Sequence, residues 1–173
     1  MKKSQVWISA VLYMGLGVIL LTIILAAGMP VVNRLRDKNT VLQTKELMFG
    51  LDETIRAILS EGPGSRRAIR LVVGKGDFSI DPAANKIEWT MNTKIMLSEP
   101  EKDIEEGTLM IRTDETDVEK EYSTTLTLNY GGIVNIHEDS VKKITGTYDL
   151  IIINKGVIPD QDVPTISITE KPV

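Results

Sequence analysis

The chain has 173 residues, enough for one ordinary domain with an attached element. Its formal charge of −4 argues against a nucleic-acid surface, which is usually basic. It has no cysteine, which excludes a disulfide framework, thiol catalysis and cysteine-ligated metal. A domain built this way must be held by a real core or by partner subunits.

The first element is a hydrophobic helix. From Val6 to Val32 the chain reads VWISAVLYMGLGVILLTIILAAGMPVV, without one charged side chain. At about 1.5 Å per residue this spans the roughly 30 Å hydrocarbon layer of a bilayer. Trp7 sits where an interfacial aromatic belongs. Gly15, Gly17, Ala26, Ala27 and Gly28 are small enough to admit a neighbouring helix closely. The run exceeds the 7–15-residue apolar core of an ordinary secretory signal, although Ala26-Ala27-Gly28 offers small residues for cleavage. Lys2 and Lys3 precede the span, and Arg34, Arg36 and Lys38 follow it, so basic residues alone do not set its orientation.

The extreme N-terminus, Met1-Lys2-Lys3-Ser4-Gln5 followed by an uncharged helix, resembles the class III leader of type IV pilins, most of all the archaeal pilin and archaellin version. The resemblance covers the leader and helix, roughly the first third of the chain, and the motif is short. It implies cleavage by a membrane-embedded prepilin peptidase between Ser4 and Gln5, with Lys2 and Lys3 holding the leader at the cytoplasmic face. It also implies that the helix then leaves the bilayer for a filament core. The residues assigned to that membrane and filament-core surface are Trp7, Ile8, Val11, Leu12, Gly15, Val18, Leu21, Ile24, Leu25 and Pro30. Many pilins carry a glutamate five residues into the mature chain; the matching position here is Ser9.

An amphipathic stalk follows. Val41, Thr44, Met48, Leu51, Ile55 and Ile58 recur at three- and four-residue steps, and Leu47 and Leu59 widen the stripe. Met48, Leu51, Ile55 and Ile58 are expected to pack on the following domain. Glu61-Gly62-Pro63-Gly64 is a strong stop, and Pro30 is a candidate kink. Together the two helical segments make roughly 55 residues, about 80 Å if continuous.

Beyond Gly64 the pattern changes to period two. Strands are expected at Ala68–Val73, Phe78–Ile80, Lys86–Met91, Thr108–Thr113, Tyr122–Tyr130, Ile133–Ile136, Thr147–Asn154 and Pro164–Thr169. Several should have one wet face, including the last, where Ile166 and Ile168 alternate with Thr165, Ser167 and Thr169. Leu150–Ile153, apolar on both faces, should be central. Turns are expected at Gly74–Gly76, Asp81–Asn85 and Gly131-Gly132, the last as a two-residue hairpin. Glu99–Glu106 and Asp114–Glu121 should be exposed loops. The fold class is α+β: a long N-terminal helix, then an antiparallel β-sheet or β-sandwich.

Chemistry is hard to find. His137 is the single histidine, and no nucleophile or orienting group marks it as catalytic. Asp114, Glu115, Asp117 and Glu119 lack the spacing of a calcium loop. No phosphate-cradling glycine loop and no Asn-x-Ser/Thr sequon occurs. The expected organisation is a leader (1–4), a transmembrane or filament-core helix (5–32), a stalk (33–62) and a β-rich extracytoplasmic head (65–173). The expected role is a non-enzymatic structural subunit of a type IV pilus-like filament, without cofactors. Its expected partners are other copies of itself, a prepilin peptidase, the assembly machinery and, as a precursor, membrane lipid. The alternative is a single-pass, membrane-anchored binding module or minor pilin-like protein.

Overall fold

The computed structural model describes residues 2–137, 139–140, 143–159 and 161–172, with side chains described at all of these except 2–6, 8, 143–145, 171 and 172. One helix, α1 (Lys2–Glu61), is followed by eight strands. These are β1 (Arg66–Asp81), β2 (Lys86–Thr93), β3 (Asp103–Glu106), β4 (Leu109–Glu115), β5 (Tyr122–Asn129), β6 (Asn135–Ile136), β7 (Lys143–Gly156) and β8 (Thr165–Pro172). The fold is α+β. The chain divides into two compact units, Met1–Arg36 and Asp37–Val173.

The first unit is helical throughout its described residues, and α1 continues through Pro30. The second unit holds the last part of α1 and one eight-stranded sheet, ordered β3-β4-β5-β2-β1-β7-β8-β6. Every neighbouring pair is antiparallel except β6 with β8. A single sheet, rather than a two-sheet sandwich, is thus the architecture adopted.

One face of the sheet packs on the helix. Val41, Met48, Leu51, Ile55 and Ile58 share a core cluster with Leu71, Phe78, Ile87, Trp89, Leu126, Leu128, Leu150 and Ile168. The helix stops where the sequence changes chemistry. Gly62 takes φ 95°, and the Ile58 carbonyl accepts bonds from Ser65 Oγ (2.7 Å) and Asn154 Nδ2 (3.1 Å). The last turn is thereby satisfied by a side chain from β7. The Asp81–Asn85 turn forms as expected: Asp81 Oδ1 accepts from the backbone of Ala83 and Ala84, and Asn85 takes a left-handed φ of 52°.

Several local expectations are corrected. Gly74–Gly76 is not a turn between two strands. It is an irregularity within β1, because β7 pairs with residues on both sides of it and the register shifts between Val73 and Phe78. The Glu99–Glu106 acids are not all loop, since 103–106 form the edge strand β3. All four residues there are exposed, so no period-two apolar signal marked them. Asp114 and Glu115 likewise belong to β4. Gly131-Gly132 does not close a hairpin. Ile133 N and Val134 N both donate to the Tyr130 carbonyl, and the chain then crosses to run parallel to β8. The strand expected at Ile133–Ile136 shrinks to Asn135–Ile136. The wet face expected for β8 is also absent at Thr165 and Ser167, which are buried. The segment ahead of β8 folds back there, and Gln161 Oε1 accepts from both Thr165 Oγ1 and Asn135 Nδ2.

Candidate functional site

The surface that stands out is the N-terminal part of α1. Trp7, Val11, Leu12, Val18, Leu21, Ile24 and Leu25 are all exposed, Trp7 at 78%. No residue from Ser9 to Val32 is buried. Soluble surfaces rarely expose apolar area on this scale. The helix is long and apolar enough to cross a membrane. Its backbone is satisfied internally, and Thr22 returns its hydroxyl to the Val18 carbonyl at 2.8 Å, an arrangement compatible with lipid surroundings. At Gly15, Gly17 and Gly28 a methyl group would meet nothing within 4 Å, so none of the described residues fills these notches. Pro30 is exposed as well. The side chains of Lys2, Lys3, Ser4, Gln5 and Ile8, assigned to leader and helix surface, lie outside the described residues.

Below the apolar run the helix acquires a single buried stripe. Met48, Leu51, Ile55 and Ile58 are each fully buried. Two carboxylates fall on or beside the same stripe, and sequence reasoning passed over both. Asp37, 5% exposed, accepts from Lys75 Nζ at 2.8 Å and lies 3.4 Å from the Lys94 backbone nitrogen, which donates to it. Lys75 reaches it from the β1 irregularity. Gly76 makes that geometry possible: its φ is +84°, and a Cβ would lie 2.6 Å from the Thr90 carbonyl and 2.7 Å from the Trp89 indole nitrogen. The indole in turn donates to the Lys75 carbonyl at 2.9 Å.

Asp52, 6% exposed, collects three donors: Tyr130 Oη at 3.0 Å, Thr108 Oγ1 at 2.8 Å and Arg56 Nε at 2.8 Å. Burial, and then the neighbouring carboxylate, pushes the Tyr130 phenol well above its ordinary range. The hydrogen bond to Asp52 raises the Arg56 guanidinium. A signal existed for both acids. Asp37 lies four residues before Val41, and Asp52 four residues after Met48, which puts carboxylates in phase with an apolar stripe. Such groups are buried only when paired.

The other candidates are not assembled into a site. His137 Nδ1 lies 3.1 Å from Asp139 Oδ2 at the surface, beside a turn. Asp114 holds Arg112, and neither joins a cluster with Asp117 or Glu119. Among the described residues no group of three or more metal-binding side chains converges. No protein-family model, curated protein or solved structure matches the chain. The molecule is therefore read from its own layout: a long apolar N-terminal helix followed by a sheet, which is a pilin-like arrangement.

Proposed function

We propose that this chain is a structural, non-enzymatic subunit of a type IV pilus-like extracellular filament, inserted in the membrane as a precursor with its N-terminus cytoplasmic. One observation carries the reading. The second unit completes its core without the apolar helix, while Ser9–Val32 stays wholly unburied. A surface of that length is covered either by lipid or by other helices. The Lys2-Lys3-Ser4-Gln5 pattern supports both in succession, with prepilin peptidase cleavage between them. At about 25 cal/mol per Å² of apolar area the helix bundle gains a large association term. Leaving lipid cancels much of that gain, so assembly requires a powered machine.

Co-expression with a prepilin peptidase, followed by mass spectrometry of the mature N-terminus, tests the reading. Chains should begin at Gln5, and electron microscopy should show filaments containing them. An intact Ser4-Gln5 bond, with the chain confined to membranes, would overturn it. The presence of Ser9 where many pilins carry glutamate favours a second reading. A subunit without that carboxylate lacks a partner for a neighbour's terminal amine, as suits a minor pilin-like or permanently anchored binding module.

A further inference from the structure

Between β2 and β3 the usual burial order of a loop is inverted. Its polar residues Thr93 and Ser98 are buried, at 1% and 6% exposure. Thr93 Oγ1 donates to the Ile95 carbonyl at 2.6 Å and accepts from the Ile95 nitrogen at 3.2 Å. Ser98 Oγ donates to Thr113 Oγ1 at 2.7 Å. Apolar Met96 and Leu97 are held between these two anchors and stay exposed, at 55% and 37%. Ile95 is half-buried, so three consecutive apolar residues, none of them buried, occupy a segment that is neither helix nor strand. Loops that face water are polar, and an exposed apolar run marks a contact.

We propose that Met96 and Leu97 insert among the lipid headgroups of the bilayer that holds the precursor. Chain length picks lipid as the occupant. The loop is fastened to the first residue of the second unit, because the Lys94 nitrogen donates to Asp37 at 3.4 Å. Asp37 follows the end of the uncharged run, Val32, by five residues. Those residues are helical, so they rise about 7.5 Å; even fully extended they would span no more than about 18 Å. The headgroup layer is itself about 5–8 Å deep on each side of the hydrocarbon. When the apolar run lies in lipid, the loop's anchor therefore lies at the membrane surface. The contact is apolar rather than ionic. Asp37 already holds Lys75, and Glu99 holds Lys102. Asp117 and Glu119 follow β4 at the same end of the sheet, where Thr93 and Glu115 both pair with Tyr122. A neutral lipid surface thus suffices, and anionic lipid adds nothing. This contact rests on the membrane-inserted precursor of the filament reading, and on none of its later steps.

The chain has no cysteine, so single labelled sites report separately. Full-length Met96→Cys, Val157→Cys and Val18→Cys variants, each carrying the neutral fluorophore NBD, are reconstituted in phosphatidylcholine vesicles. Val157, 63% exposed, is the control for attraction by the dye, because Gly156 lies against Pro63 beyond the far end of the helix. The Met96 probe should emit to the blue of the Val157 probe and be quenched severalfold more by nitroxide-labelled headgroups. Adding Leu97→Asp should abolish most of that difference. A large excess of lipid should leave it unchanged. The Val18 probe should be quenched by nitroxides deep in the acyl chains. A Met96 probe that behaves like the Val157 probe, with Val18 in lipid, overturns this contact and leaves the anchor standing. A Val18 probe in water overturns the membrane reading, and this contact with it. Protection of Met96 that disappears on dilution with lipid means that a second copy covers the loop, and also overturns the proposal. Leader cleavage and filaments are read separately, and their absence leaves the contact intact.

Discussion

The Asp52–Tyr130 pair is the most exacting test of how the helix is fastened to the sheet. A fragment covering 37–173, the second compact unit, isolates it. Tyr130→Phe removes one buried hydroxyl that donates to a carboxylate, worth about 1.5–3 kcal/mol. Asp52→Ala removes the acceptor for three donors and strands the Tyr130 hydroxyl. Arg56 is half exposed and recovers water, so the total is about 3 kcal/mol rather than a sum of three full bonds. At roughly 3 °C per kcal/mol for a unit of this size, melting should fall about 5–9 °C and about 9 °C respectively. The double variant should lose less than the sum by about 1.5–3 kcal/mol, because both singles break one contact. The tyrosine also predicts a pH dependence. Its folded pKa is raised, whereas the unfolded chain ionises near 10, so above about pH 10 the unfolded state binds fewer protons than the native one. Stability from this group is fully present below pH 10 and declines above it, by up to about 1.4 kcal/mol per pH unit. Urea midpoints at pH 9, 10 and 11 for the parent fragment and Tyr130→Phe should therefore converge as pH rises. Parallel pH profiles, or additive single effects, would refute the coupling.

Other substitutions in the same fragment probe separate contacts. Leu51→Asp places a carboxylate at a fully buried position and should cost more than about 4 kcal/mol; an unchanged melting temperature would refute the face assignment. Gly76→Ala collides with the Thr90 carbonyl and the Trp89 ring, and should cost about 2–3 kcal/mol. It should also red-shift the fluorescence of Trp89, the fragment's single tryptophan. Asn154→Ala removes the donor to the Ile58 carbonyl and the acceptor for Gly156 N, at about 2 kcal/mol by denaturant titration. Thr124→Val should raise stability by about 1 kcal/mol, because the buried Thr124 Oγ1 has no partner among the described residues.

What could be read from the sequence follows from periodicity. The stripe Val41, Met48, Leu51, Ile55 and Ile58 announces a helix with one buried face, and those residues are buried. Ile87, Trp89 and Met91 announce β2 in the same way, at period two. Where burial does not alternate, the sequence is silent. β3 is wet on every residue and its acids look like a loop. β1 absorbs two glycines because β7 pairs with it on both sides, a fact of the partner strand rather than of the glycines. β6 is two residues long and takes its pairing from β8, whose position depends on the whole sheet. The Asp37 and Asp52 contacts reach across 38 and 78 residues to Lys75 and Tyr130, and local patterning carries no information at that range.

The angular distribution of apolar residues on α1 states how many neighbours each part requires. From residue 37 onward one stripe is apolar and the rest is polar, which a single partner satisfies; the sheet is that partner. From Ser9 to Val32 the helix is apolar all round, and nothing in its own unit buries it. One partner helix would cover only part of such a surface and leave the remainder in water. Lipid covers all of it, and so does a bundle in which each helix has neighbours on every side. A chain that begins in lipid and ends in such a bundle never exposes this helix to water. A closed dimer in water would expose much of it, and that exposure is the physical ground on which the proposed polymer, or a permanent membrane anchor, is preferred to a soluble pair.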